Sequence, residues 1–94
     1  MRLTIIPSDN MVYVDGEPLQ VSGLPELYPT THAVQWYGNG GEVEFIQVFG
    51  EPATPNQIIT DISAYQSAID LWNTEKAAKI AAQAAIDAAI QQQV

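Results

Sequence analysis

Residues 11–22 read Met11-Val12-Tyr13-Val14-Asp15-Gly16-Glu17-Pro18-Leu19-Gln20-Val21-Ser22, and this stretch decides the fold of the first half of the chain. Apolar and polar residues alternate with period two, the mark of a strand with one buried face. Val12 and Val14 share one face, and Met11 and Tyr13 the other. Asp15-Gly16 predicts a tight hairpin, because a type I′ turn needs positive φ at both central residues. The return strand, Glu17–Ser22, points Leu19 and Val21 inward. Pro18 has no N–H to give to a ladder, so this strand is at an edge or starts late.

The same pattern extends in both directions. Upstream, Arg2–Ile6 puts Leu3 and Ile5 on one face, and Pro7-Ser8-Asp9-Asn10 is turn chemistry. Downstream, Gly23–Thr31 reads as a loop whose Leu24, Leu27 and Tyr28 cover one end of the core. Ala33–Tyr37 and Glu42–Phe49 form a second hairpin around Gly38-Asn39-Gly40-Gly41. Val34 and Trp36 face inward, with Val43 and Phe45 opposite them and Glu42 and Glu44 in water. Adjacent apolar residues at Phe45-Ile46 suggest a bulge or burial on both sides. Glu51–Ile59 is a connector that tucks Ile58 and Ile59 under the sheet.

Beyond residue 55 the chain changes character. All 6 glycines and all 6 prolines lie before that point. A helix is expected from near Asp61, with Asp61 or Ser63 capping it and Ser63-Ala64-Tyr65-Gln66 fitting a capping box. At 3.6 residues per turn, Ile62, Tyr65, Ile69, Trp72 and Ile80 form one stripe, rejoined by Ile90 and Val94. Ala77–Ile90 is mostly alanine, the best helix former, yet it offers little bulk to bury. A helix over 61–94 would run about 50 Å, beyond the roughly 30 Å width of a small domain, so its end projects.

The predicted class is α+β. A small antiparallel sheet of four or five strands, in two hairpins, is covered by one long C-terminal helix whose Ala-rich end projects. Residues 1–60 form the β module with its connector, and 61–94 the helix, packed on the sheet to about residue 75. The helix beyond Lys79 is expected to hold a homo-oligomer through Ile80, Ile86 and Ile90. Trp36, Tyr37, Phe45, Phe49, Tyr65 and Trp72 read as core aromatics. Exposed aromatics serve as partner anchors instead, and Tyr37 and Trp72 are the candidates for that role.

Composition narrows the function. The chain has 94 residues, 11 acids, 3 bases and a formal charge of −8. Arg2, Lys76 and Lys79 are the only bases, so no patch exists for nucleic acid or for an anionic membrane. An acidic surface gives solubility, and it also suits a basic partner or mimicry of DNA. The longest apolar run, Met11–Val14, is too short to span a bilayer. No cysteine is present.

The chemistry-bearing residues point away from catalysis. His32 is the only histidine, at the end of a loop, with no partner set that spacing would suggest. One His without Cys makes a poor zinc site. Asp9-Asn10 lacks the spacing of a calcium loop. Glu42-Val43-Glu44 follows the glycine cluster where a phosphate cradle needs Lys-Ser or Lys-Thr. Glu42 and Glu44 have no cleft in which to flank a sugar. The expectation is a non-enzyme without cofactor or metal.

Met1–Ile6 with Ser8-Asp9-Asn10, then Val12-Tyr13-Val14-Asp15-Gly16, His32-Ala33-Val34-Gln35-Trp36 and Gly41-Glu42-Val43-Glu44-Phe45, resembles a family of small tailed-bacteriophage proteins. These stand among tail and tail-fibre genes. The likeness continues through Ile58 to Trp72 and into an Ala-rich terminal helix, here poorer in charge. It covers nearly the whole chain, and its motifs are turns and core positions. The resemblance implies a tail-associated structural or tail-fibre assembly protein, acting through protein–protein contacts with a phage tail or tail-fibre protein. It places the chain in the virion, or in the host cytoplasm during assembly. The alternative is a small acidic phage protein that binds and modulates a host protein.

Overall fold

A computed structural model describes residues 1–24 and 30–92. Leu27 and Tyr28, expected to cover the core, and Val94, expected on the helical stripe, lie outside the described residues.

The strands are β1 (Leu3–Ile6), β2 (Met11–Val14), β3 (Glu17–Gln20), β4 (Thr31–Trp36), β5 (Gly41–Phe45) and β6 (Gln57–Ile59). A 3-10 turn at Pro7–Asp9 links β1 to β2, and another at Ser63–Tyr65 leads into helix α1 (Gln66–Gln92). The six strands form one sheet in the order β3-β2-β1-β4-β5-β6, with every neighbouring pair antiparallel. Two meanders thus meet at the β1–β4 seam. Asp15 and Gly16 have φ of 51° and 82°, as the tight turn requires. β3 is an edge strand, which accommodates Pro18.

Register explains the core. Leu3 lies opposite Val14 and Trp36, and Ile5 opposite Val12 and Val34. These inward residues, with Val21 and Val43, meet Ala68, Ile69 and Trp72 of α1 in one apolar cluster. Trp36 and Trp72 are 8% and 6% exposed, so both indoles belong to the core. Tyr65, half-buried, packs against the cluster beside Ile62. α1 crosses the sheet from the β6 side, reaches β3 and continues outward. Residues 80–92 are exposed throughout and extend about 20 Å at 1.5 Å per residue. The molecule measures 62 × 31 × 19 Å in consequence.

Several expectations are corrected. There are six strands rather than four or five, because Gln57–Ile59 pairs with β5 instead of remaining a connector. Ile59 is half-buried there, but Ile58 faces outward at 77% exposure. Trp36 opposes Gly41, not Phe45, whose partner is Thr31. A Cβ on Gly41 would fall on the Gln35 carbonyl oxygen and lie 2.9 Å from the Trp36 Cα, so only glycine fits beside that strand. The irregularity expected at Phe45-Ile46 lies across the ladder, between Thr31 and Ala33 of β4. β5 stops at Phe45, and Phe49 is fully solvent-exposed. Tyr37 is exposed too, so neither aromatic belongs to the core.

At the helix start the capping box does not form. Asp61 accepts from the Ser63 amide at 3.0 Å and from the Ser63 hydroxyl at 2.6 Å, closing a local turn. The Gln66 amide instead donates to Asp70 at 2.9 Å. The α-helix therefore begins at Gln66, after the 3-10 turn.

Candidate functional site

Four side chains fix the direction in which α1 leaves the sheet. The Trp72 indole N–H donates to the Glu17 carbonyl at 3.3 Å. Lys76 pairs with the Glu17 carboxylate and stands 4.6 Å from the Trp72 ring centroid. Glu75 accepts from the Ser22 amide through both carboxylate oxygens, each at 3.0 Å. The Lys79 ammonium donates to the Gln20 carbonyl at 3.2 Å. Packing ends at Trp72, but this polar clamp extends another two turns. The Gln20 carbonyl and the Ser22 amide that it occupies are groups that an edge strand would otherwise offer to water or to another chain.

Past the clamp the helix is unsupported. Ile80, Ile86 and Ile90 are 60%, 52% and 56% exposed. Ile86 and Ile90 stand one turn apart on the same side, and Ile80 lies about 80° around the helix from Ile90. Ile80 and Ile90 continue the direction of the buried stripe into solvent. Gln83 donates to Asp87 at 3.0 Å beside them. Ile80 therefore covers no sheet residue.

Tyr37 stands at the β4–β5 turn, where its amide donates to the Gly40 carbonyl at 2.8 Å. β4 is three strand positions from β3. At about 4.8 Å per strand this separates Tyr37 from the helix exit by roughly 14 Å. The structure thus sets Ile86 and Ile90 on one side of the helix, turns Ile80 about 120° from Ile86, and leaves Tyr37 apart from all three. His32 is exposed, at the irregular step of β4.

The sheet face away from α1 carries a second feature. Arg2, Thr4, Ile6, Tyr13, Gly16 and Gln35 line an open hollow of about 260 Å³. The Thr4 hydroxyl donates to the Gln35 amide oxygen at 2.8 Å, and the Gln35 amide nitrogen reaches Glu44 at 3.5 Å. Glu42 and Glu44 are half-buried rather than free in water. The hollow's lining offers a guanidinium, hydroxyls and an amide, but neither carboxylate nor imidazole to serve as a base. Thr4 and Gln35 are 31 residues apart, a pairing no local motif announces.

Among the described residues, one carboxyl and one phenol are shifted from their ordinary acidity. The Ser63 hydroxyl, and then its amide, hold the Asp61 carboxyl below its usual 3.8. Burial raises the Tyr65 phenol. Neither group lines the hollow or the isoleucine patch. Among the described residues, no cluster of three or more His, Cys, Asp or Glu could hold a metal ion. No helix among them is long and apolar enough to cross a membrane.

Compared with protein families, with curated proteins and with solved structures, the chain matches none.

Proposed function

We propose that the protein is a non-enzymatic, tail-associated bacteriophage protein, structural or serving tail-fibre assembly, that works through protein–protein contacts. The observation that carries this reading is the projecting half of α1. Its fixed exit and its exposed Ile80, Ile86 and Ile90 make it a device for holding other helices. Apolar residues on a solvent-exposed helix are stabilised when another chain covers them. The setting comes from the sequence resemblance alone, which covers nearly the whole chain, since none of the compared families, proteins or structures matches. A second copy of the chain is the first occupant, giving a dimer or trimer, and a tail or tail-fibre protein is the second.

Sedimentation equilibrium of the full chain tests the first contact. A dimer or trimer is expected, and Ile86→Gln with Ile90→Gln should return it to monomer, still folded, with a melting temperature that no longer depends on concentration. A monomer at all concentrations would remove self-association. Mass spectrometry of purified virions and a pull-down on the tail fibre test the setting. Absence from both would refute the tail assignment.

A further inference from the structure

The loop between β5 and β6 holds the most exposed aromatic side chain of the described residues. Phe49 is 105% exposed relative to an extended reference, with Ile46 at 49% and Val48 at 55% beside it. Large apolar side chains grouped in solvent mark interaction sites more often than chance placement. This loop is also held in shape. The Gln47 amide nitrogen donates to the Phe45 carbonyl at 2.9 Å and to the Thr54 carbonyl at 3.1 Å. The Gln47 amide oxygen accepts from the Thr54 amide at 2.9 Å. One side chain thus closes both ends of the loop. Within it, the Glu51 amide donates to the Val48 carbonyl at 3.1 Å, and Gly50 adopts φ of 87°. That is a four-residue turn with Phe49 at its corner and glycine where positive φ is needed. The Ile46 amide donates to the Thr30 carbonyl at 3.0 Å and ties the loop base to the sheet.

We infer that this clamped loop is a docking knob, and that Phe49 enters an apolar pocket with a basic rim on a different protein. Preorganisation lowers the ordering cost of binding, and a single aromatic in a pocket carries a large share of interface energy. The basic rim follows from charge. Glu51 is two residues from Phe49, and no Lys or Arg occurs between Leu3 and Glu75. A second copy does not complement this surface. Of the three bases in a copy, Lys76 and Lys79 are engaged with Glu17 and Gln20 at the opposite edge of the sheet, which leaves Arg2 alone against 11 acids. The knob is independent of the helix patch, and it stands or falls apart from the tail reading.

The test replaces Phe49 by p-benzoyl-phenylalanine in the full chain, produced in its native cells, and irradiates them. The cross-linked protein is identified, purified and titrated against the unmodified chain by calorimetry at low and high salt. The expected adduct is one protein other than the chain itself. Phe49→Ala should weaken that binding about 30-fold, the loss typical of a hot spot, with an unchanged melting temperature. Glu51→Gln should weaken it several-fold at low salt only. Gln47→Ala should weaken it by freeing the loop. No adduct, an adduct only with a second copy or with lipid, or unchanged affinity of Phe49→Ala would each overturn the proposal.

Discussion

Replacing Trp72 by Ala removes the largest side chain that α1 contributes to the core. The indole is 6% exposed and packs among Leu3, Val12, Trp36 and Ile69 in one cluster. Large-to-small changes of this kind cost roughly 3–5 kcal/mol, because the cavity relaxes only in part. The variant also loses the bond to the Glu17 carbonyl, worth roughly 1 kcal/mol. A 94-residue domain has about 5–14 kcal/mol in total at the usual stability per residue. Most of the margin therefore goes. In urea, with a slope of about 1 kcal/mol per M for a small domain, the midpoint should fall by roughly 3 M or more. The chain has 2 tryptophans, so Trp36 remains as the fluorescent reporter in the variant. Trp72→Phe separates the contributions, since it keeps a ring in the core and loses the indole bond, and should cost far less. A Trp72→Ala midpoint within about 0.5 M of the parent would refute the packing of α1 on the sheet.

Other consequences are equally direct. Gly41→Ala forces a methyl onto the β4 backbone and should lower stability by roughly 3 kcal/mol, read by thermal melting, whereas Gly16→Ala, with open space around it, should cost only the roughly 1–2 kcal/mol of its left-handed conformation. The Asp61 carboxyl is held below 3.8 in the folded state, so its contribution is complete above that value and is lost as pH falls through the lower folded value. Asp61→Asn should therefore lower the melting temperature slightly at neutral pH, flatten the acid limb of the profile, and converge with the parent at low pH. Glu17→Gln breaks an ion pair whose members are 37% and 54% exposed, so a shift of at most about 1 kcal/mol is expected, vanishing in high salt.

Much of this arrangement is legible from local chemistry. Asp15-Gly16 specifies its turn, and the parity of Leu3, Ile5, Val12 and Val34 specifies a shared face, because both signals are confined to a few consecutive residues. β6 escapes such a reading. Three residues are too few to show a period, and Pro52 and Pro55 just before them read as a connector. Phe49 misleads for the opposite reason. Phe45, Gln47 and Phe49 keep strand parity, but the Gln47 side chain turns the backbone into a loop, and only Gly50 hints at it. The projecting isoleucines are legible because alanine around them cannot fill a core. The hollow on the open face is not, since cross-strand register brings Thr4 to Gln35 and no short segment contains both.

The clamp between α1 and β3 also sets a schedule for synthesis. Glu17 is made 55 residues before its partner Trp72, and Gln20 59 residues before its partner Lys79. At about 5–20 residues per second, the ribosome needs roughly 3–12 seconds to deliver that helix. Throughout that interval the Gln20 carbonyl and the Ser22 amide stand on the bare rim of a nascent sheet whose apolar face is uncovered. The chain is thus most vulnerable to intermolecular strand pairing before it is finished. Slower translation between residues 20 and 79 would lengthen the exposure, while a chaperone that screens β3 would be dispensable once Lys79 has emerged.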